Sequence, residues 1–158
     1  SRHQARPDGA PVLRYFLDTE FNGFGGPLIS LALAPEDGST PFYEALPCPD
    51  PTPWVAEHIL PVLDTAPISR AAMGQAFAAY LGADPDPLLV ADWPEDIAHA
   101  AQLLIAAPGR RHPIDRIRFE LCDAFGFDSA ASSSRPHNAL ADAIALRDYL
   151  LARGARDF

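Results

Sequence analysis

The sequence predicts an α/β fold in which a mixed sheet, opened by three antiparallel strands, carries helices packed against it. Three observations lead there. Short apolar or alternating runs separated by turn residues fill the first part of the chain, four apolar residues at 88–91 are followed at once by a helical pattern, and helical spacing returns near the C-terminal end. Strands first, then strand and helix alternating, is the order of a layered domain.

The first three strands are expected at 12–18 (VLRYFLD), 28–34 (LISLALA) and 40–46 (TPFYEAL), joined through NGFGGP and PEDGS, which are rich in turn residues. Thr52 suits the N-cap of a helix with Pro53 at its first position, and Val55, Ile59, Val62 and Leu63 recur at helical spacing until Pro61 kinks or ends it. A second helix fits 69–81, with Ser69 as cap, Met73, Phe77, Tyr80 and Leu81 as its buried stripe, and Gly82 as its stop. Leu88 to Ala91 read as a buried strand, and the helix after it carries Ile97, Ala100, Ala101 and Leu104 on one face. APGRRHP reads as a loop, IDRIRF (114–119) as the last strand and DSAASSSRP as a mobile Ser-rich loop. The final helix is expected over 139–152, with Leu140, Ala143, Ile144 and Leu151 inward and Gly154 as terminator.

At 158 residues the chain is long enough for one core and too short for two ordinary domains, and 48% hydrophobic with 21% charged residues is the composition of a folded protein. Residues 1–11 are expected to be a disordered tail and 12–158 the domain. No apolar run reaches the roughly 20 residues that span a bilayer, and SRHQARPDGA lacks the apolar centre of a signal peptide, so a cytoplasmic protein without membrane contact is expected. Cys48 and Cys122 have neither a disulfide framework nor metal-ligand spacing and read as reduced thiols. A net charge of −9 works against a broad nucleic-acid-binding surface, so any polynucleotide contact must be local; Arg110, Arg111 and Arg135 are the candidate phosphate clamps.

Three acidic clusters carry the chemistry. Asp18 and Glu20 in LDTEF would project to one face of a strand while Thr19 points to the other; two carboxylates so close are disfavoured in a dry setting unless a hard cation compensates. The alternative is that the strand ends at Leu17 and both acids are solvated. In ADWPEDIAHAAQLL, Asp92 and Glu95 have capping-box spacing, yet Asp96 also stands at the carboxyl end of an inner strand, where α/β sheets place ligands. In RPHNALADAIALRDYL, His137 and Asp142 on one continuous helix would point about 140° apart. An Asn138 cap that leaves His137 outside the helix removes that conflict.

Taken together, D-x-E at a strand end, an Asp at a helix start and H-x4-D opening the last helix resemble the DEDDh branch of the DnaQ-like, ribonuclease-H-like 3′-to-5′ exonucleases. FLDTEF is similar to the first exonuclease motif and HNALADA to the third. DWPEDI is similar to the second, with Asp96 as the acid and Asp92 where Asn is common; which of the two reaches a metal stays open. The DTEF form is most similar to the small bacterial exoribonucleases.

The resemblance implies a ribonuclease-H-like five-stranded mixed sheet flanked by helices. It implies two divalent cations, Mg²⁺ or Mn²⁺, held by Asp18, Glu20, Asp96 and Asp142, with His137 as general base. Thr19 and Phe21 would lie against the terminal nucleotide, with Trp93 as a further contact. The reaction expected is release of nucleoside 5′-monophosphates from short RNA or 3′ overhangs, and a homodimer is a family-level expectation. The alternatives are a DNA-directed exonuclease of the same superfamily and a non-catalytic metal-dependent nucleotide-binding module.

Overall fold

A computed structural model describes residues 12–156 of the chain; the expected tail at 1–11 lies outside them. Strands β1 (Arg14–Phe21), β2 (Leu28–Pro35) and β3 (Phe42–Ala45) form the antiparallel trio read from the sequence. β1 runs through Asp18 and Glu20 instead of ending at Leu17, because Asp18 pairs with Ala32 and Glu20 with Ser30 on β2. The register slips between Glu20 and Phe21, a bulge of the kind that re-aims a strand end.

Thr52 caps α1 (Pro53–His58) by accepting the Val55 N–H, and a 3₁₀ turn at Leu60–Val62 takes up the chain at Pro61. Ser69 likewise caps α2 (Arg70–Gly82). Strand β4 (Leu88–Ala91) pairs in parallel with β1 and leads into α3 (Pro94–Leu103). On α3 it is Ala100 and Leu103 that are buried, whereas Ala101, expected inward, is exposed.

Four further expectations about the elements require correction. APGRRHP holds a small hairpin of β5 (Ile105–Ala107) and β6 (Arg110–Arg111), turned at Pro108 and Gly109, whose φ of 72° needs a glycine. The last sheet strand is β7 (Arg118–Leu121), four residues beyond the expected start, because Ile114 serves the core without joining the sheet. The Ser-rich loop contains a short helix, α4 (Ser129–Ser132), capped when Asp128 accepts the Ala130 N–H. Finally, α5 (Ala139–Arg156) passes through Gly154, since a single glycine lowers helix propensity without forcing a stop.

The five-stranded sheet has the order β3-β2-β1-β4-β7, with β1 central. On one face Leu17, Leu31, Leu33 and Leu89 pack against Met73, Phe77 and Leu81 of α2 and Leu103 of α3. On the other, Phe16, Ala32, Ala34 and Val90 meet Ala139, Ala143 and Leu146 of α5. Each large side chain fully buried here stabilises the fold by roughly 1.5–3 kcal/mol. The small side chains at Ala32, Ala34, Ala139 and Ala143 let α5 lie close on the sheet. β2 is buried along its whole length, which explains why its sequence is a continuous apolar run instead of an alternation. Among the described residues no helix is long and apolar enough to cross a membrane.

Two glycines give opposite expectations. A Cβ at Gly74 would lie 2.4 Å from His112 Nε2 and 2.9 Å from the Leu103 carbonyl oxygen, so Gly74→Ala should cost about 1–3 kcal/mol in urea unfolding. A Cβ at Gly82 meets nothing within 4 Å, and Gly82→Ala should be neutral or stabilise by up to about 1 kcal/mol in the same measurement.

Candidate active site

The site forms where the end of β1 meets the start of α5. Strand alternation sends Phe16, Asp18 and Glu20 to the α5 side. On α5, the Asn138 side chain accepts the Ala141 N–H and fixes the first turn, so that Asp142 shares the inward stripe of Ala139, Ala143 and Leu146. The result is that one carboxylate oxygen from each of Asp18, Glu20 and Asp142 lies within 4.8 Å of the others. Asp18 Oδ2 and Asp142 Oδ1 are buried and make no hydrogen bond within the protein. Unpaired buried oxygens of this kind are costly, and a cation held by the same carboxylates would satisfy them. Three oxygens this close fit one hard ion, since bonds of about 2.0–2.6 Å place two ligands of one ion at most roughly 5 Å apart.

Crowding and burial act in the same direction on the protons. Burial first, then the charges of Asp96, Glu20 and Asp142, push Asp18 well above the usual carboxylate range. Glu20 is raised to about 9 by burial and then by Asp142 beside it. Asp142 is raised by burial, against the N–H that His137 donates to its Oδ2 at 3.2 Å.

Asp96 enters the site from the first turn of α3. Its carboxylate accepts the Thr19 hydroxyl at 2.6 Å, a bond that joins β1 to α3 and lowers its pKa, while burial raises it more, to about 7. Asp96 is therefore outside the triad of mutually close oxygens but lines the same cavity of about 320 Å³ as Asp18 and Asp142. Asp92 also lines that cavity; of the neighbouring acids Asp96 acts most strongly on Asp18 and Asp92 least. The capping box expected of Asp92 and Glu95 is absent: the N-cap is Trp93, with no side-chain bond, and Pro94 starts the helix.

Thr19, Phe21 and Trp93 all line the cavity. Phe21 is half-buried and tilts on His99 at a ring distance of 5.1 Å, while Trp93 is 47% exposed. His137 precedes the Asn138 cap, as read from the sequence, with a left-handed φ of 71°. It is not among the residues lining the cavity; its ring meets the edge of Trp54 at 5.1 Å. Its flanks are anchored, by an Arg135–Asp64 ion pair on one side and by the Asn138 amide donating to the Val62 carbonyl at 2.9 Å on the other. Arg135 is thus committed to Asp64, whereas Arg110 and Arg111 stand exposed on β6. Sequence reasoning missed Trp54, whose half-exposed indole touches both His58 and His137; its place on the outer side of a capped helix is the signal that could have found it.

No protein-family model matches the chain, and no curated protein sequence matches it.

The raised carboxyls make a sign-specific prediction for the metal-free protein. These groups hold protons that the unfolded chain releases near pH 4. Their stabilisation is therefore complete below about pH 4 and is lost as pH rises through the folded values of about 7 for Asp96 and about 9 for Glu20. In chelator the melting temperature should decline from pH 5 to pH 9, and Glu20→Gln should flatten the upper part of that decline. Saturating Mn²⁺ should raise it, more at pH 8 than at pH 5, because the cation displaces protons. Equal melting with Mn²⁺ and with chelator at both pH values would exclude a cation site.

Proposed function

We propose that the chain is a divalent-metal-dependent 3′-to-5′ exonuclease that releases nucleoside 5′-monophosphates from short RNA or 3′ overhangs. The observation that carries this reading is the convergence of Asp18, Glu20 and Asp142, from segments far apart in sequence, with two buried oxygens left unpaired. The cavity beside them, lined by Phe21 and Trp93 as well as Asp96, supplies room and aromatic surface for a nucleotide. The five-stranded mixed sheet flanked by helices is the architecture that the resemblance implies. The choice of RNA over DNA follows the likeness of DTEF to the small exoribonucleases.

On this reading Asp18, Glu20 and Asp142 would hold one Mg²⁺ or Mn²⁺, with Asp96 available to a second. Such ions would supply a more acidic water and stabilise charge on the leaving oxygen. His137 would take the proton of the attacking water on a ring nitrogen. The water oxygen bonds to phosphorus, the P–O3′ bond breaks, and the departing 3′ oxygen gains a proton. The backbone N–H of His137, bonded to Asp142, ties the residue to the proposed cation ligands, while its ring lies against Trp54. Because the net charge is −9, the phosphate meets the chain mainly through the cations, and substrate binding should depend only shallowly on salt.

The test is mononucleotide release from matched RNA and DNA oligonucleotides with recessed and protruding 3′ ends. Asp18→Ala should abolish release. His137→Ala should lose about 10²–10⁴-fold in rate while keeping the Mn²⁺-dependent rise in melting temperature. A clear preference for DNA would move the assignment to a DNA-directed exonuclease, and metal-stabilised protein that releases nothing from either polymer would leave a non-catalytic nucleotide-binding module.

A further inference from the structure

Glu95 has a role that its position in the first turn of α3 does not suggest. Its carboxylate oxygens cap nothing in the helix. Oε2 accepts the Gly25 N–H at 2.9 Å, and Oε1 accepts the Trp93 indole N–H at 3.3 Å. One half-buried carboxylate thereby ties the loop after β1 to the start of α3.

The groups it ties are aromatic. Phe24 is 85% exposed and Trp93 47% exposed, with ring centroids 6.1 Å apart and planes inclined at 59°. Phe21 stands 6.2 Å from Phe24. A phenylalanine this exposed contributes almost nothing to the core, yet the loop that presents it is closely specified. Gly25 holds a left-handed φ of 78°, and a Cβ at Gly26 would lie 2.0 Å from the Asn22 carbonyl oxygen. The turn is closed by Asn22 N–H donating to the Pro27 carbonyl and Gly26 N–H to that of Gly23, each at 2.9 Å. Phe24 and Trp93 line the same cavity as Asp18, Asp96 and Asp142.

An aromatic edge fixed beside cation-binding carboxylates matches the two halves of a nucleotide. The π face of a base stacks on such rings whatever its sequence, and its phosphate is left to the cations. We propose that Glu95 is a positioning residue that locks Phe24 and Trp93 into one preformed edge for an unpaired base, so that the site takes single-stranded 3′ ends. A base still paired and stacked in a duplex would have to leave its own stack before it could use this edge. The role rests on the nuclease reading for its substrate, but it is read out by binding and not by turnover.

The experiment follows Trp93 fluorescence in a Trp54→Phe background, with Ca²⁺ as the cation. The probes are an unpaired hexanucleotide and an abasic strand with the same backbone. The base-bearing strand should quench Trp93 and bind roughly 5- to 150-fold more tightly than the abasic one. Glu95→Ala should remove most of that difference and leave the abasic affinity unchanged, whereas Glu95→Gln, whose carbonyl still accepts an N–H, should retain much of it. Equal affinity for the two strands, binding of neither, or a Glu95→Ala variant that weakens both alike would overturn the role. With release measured separately on the wild-type chain in Mn²⁺, mononucleotide release without base-dependent binding would sink the clamp alone; base-dependent binding without release would leave the clamp standing and sink the nuclease reading.

Discussion

The constraint on which this structure turns is the crowding of carboxylates beneath the first turn of α5. Asp18 and Glu20 sit on a central strand and Asp142 on the helix above them, so like charges are pressed together in a partly desolvated space. Such an arrangement is tolerable only if protons are retained or a cation replaces them. The elevated affinity of these groups for protons and their fitness for a hard cation are two expressions of one geometry. A fold selected for stability alone would fill the position with apolar side chains of similar size.

Everything around the acids serves to hold them there. Alanines on both surfaces allow α5 to approach the sheet, and the Asn138 cap sets the rotation that turns Asp142 inward. That same asparagine reaches back through its amide to Val62, so the start of α5 is bound to the 3₁₀ turn after α1. Asn22, at the end of β1, accepts the Thr52 N–H and donates to the Asp50 carbonyl, which places α1 and hence Trp54 beside His137. The triad and the histidine are therefore referred to a common frame by short polar contacts, although they come from opposite ends of the chain. Thr19 does the same for the other face of β1 by bonding Asp96.

Much of this was legible before any coordinates. The Thr52 and Ser69 caps, the three opening strands and the Asn138 cap follow from local chemistry that operates within a few residues, and the structure forms each of them. At Glu95 a distant partner overrides a local preference. Glu95 has the spacing of a capping box with Asp92 but is drawn to Gly25 and Trp93. Gly154 reads as a terminator, yet α5 continues past it because one glycine lowers helix propensity without forcing a stop. Ser129–Ser132 become helical because the adjacent Asp128 caps them, a local signal that composition alone does not carry.

The sequence by itself determined the layered α/β class, the alternation that puts Asp18 and Glu20 on one face, and the placement of His137 outside its helix, because each depends on residue spacing and backbone geometry alone. Only the tertiary structure decided that Asp142 completes the triad while Asp96 stays outside it, bound to Thr19. It also decided that His137 lies against Trp54 and that Phe24 and Trp93 share an edge. The reason is physical: those relations are set by how closely α5, α3 and α1 pack on the sheet, and packing distance is a property of side-chain volumes meeting across the fold, which no local run of residues encodes.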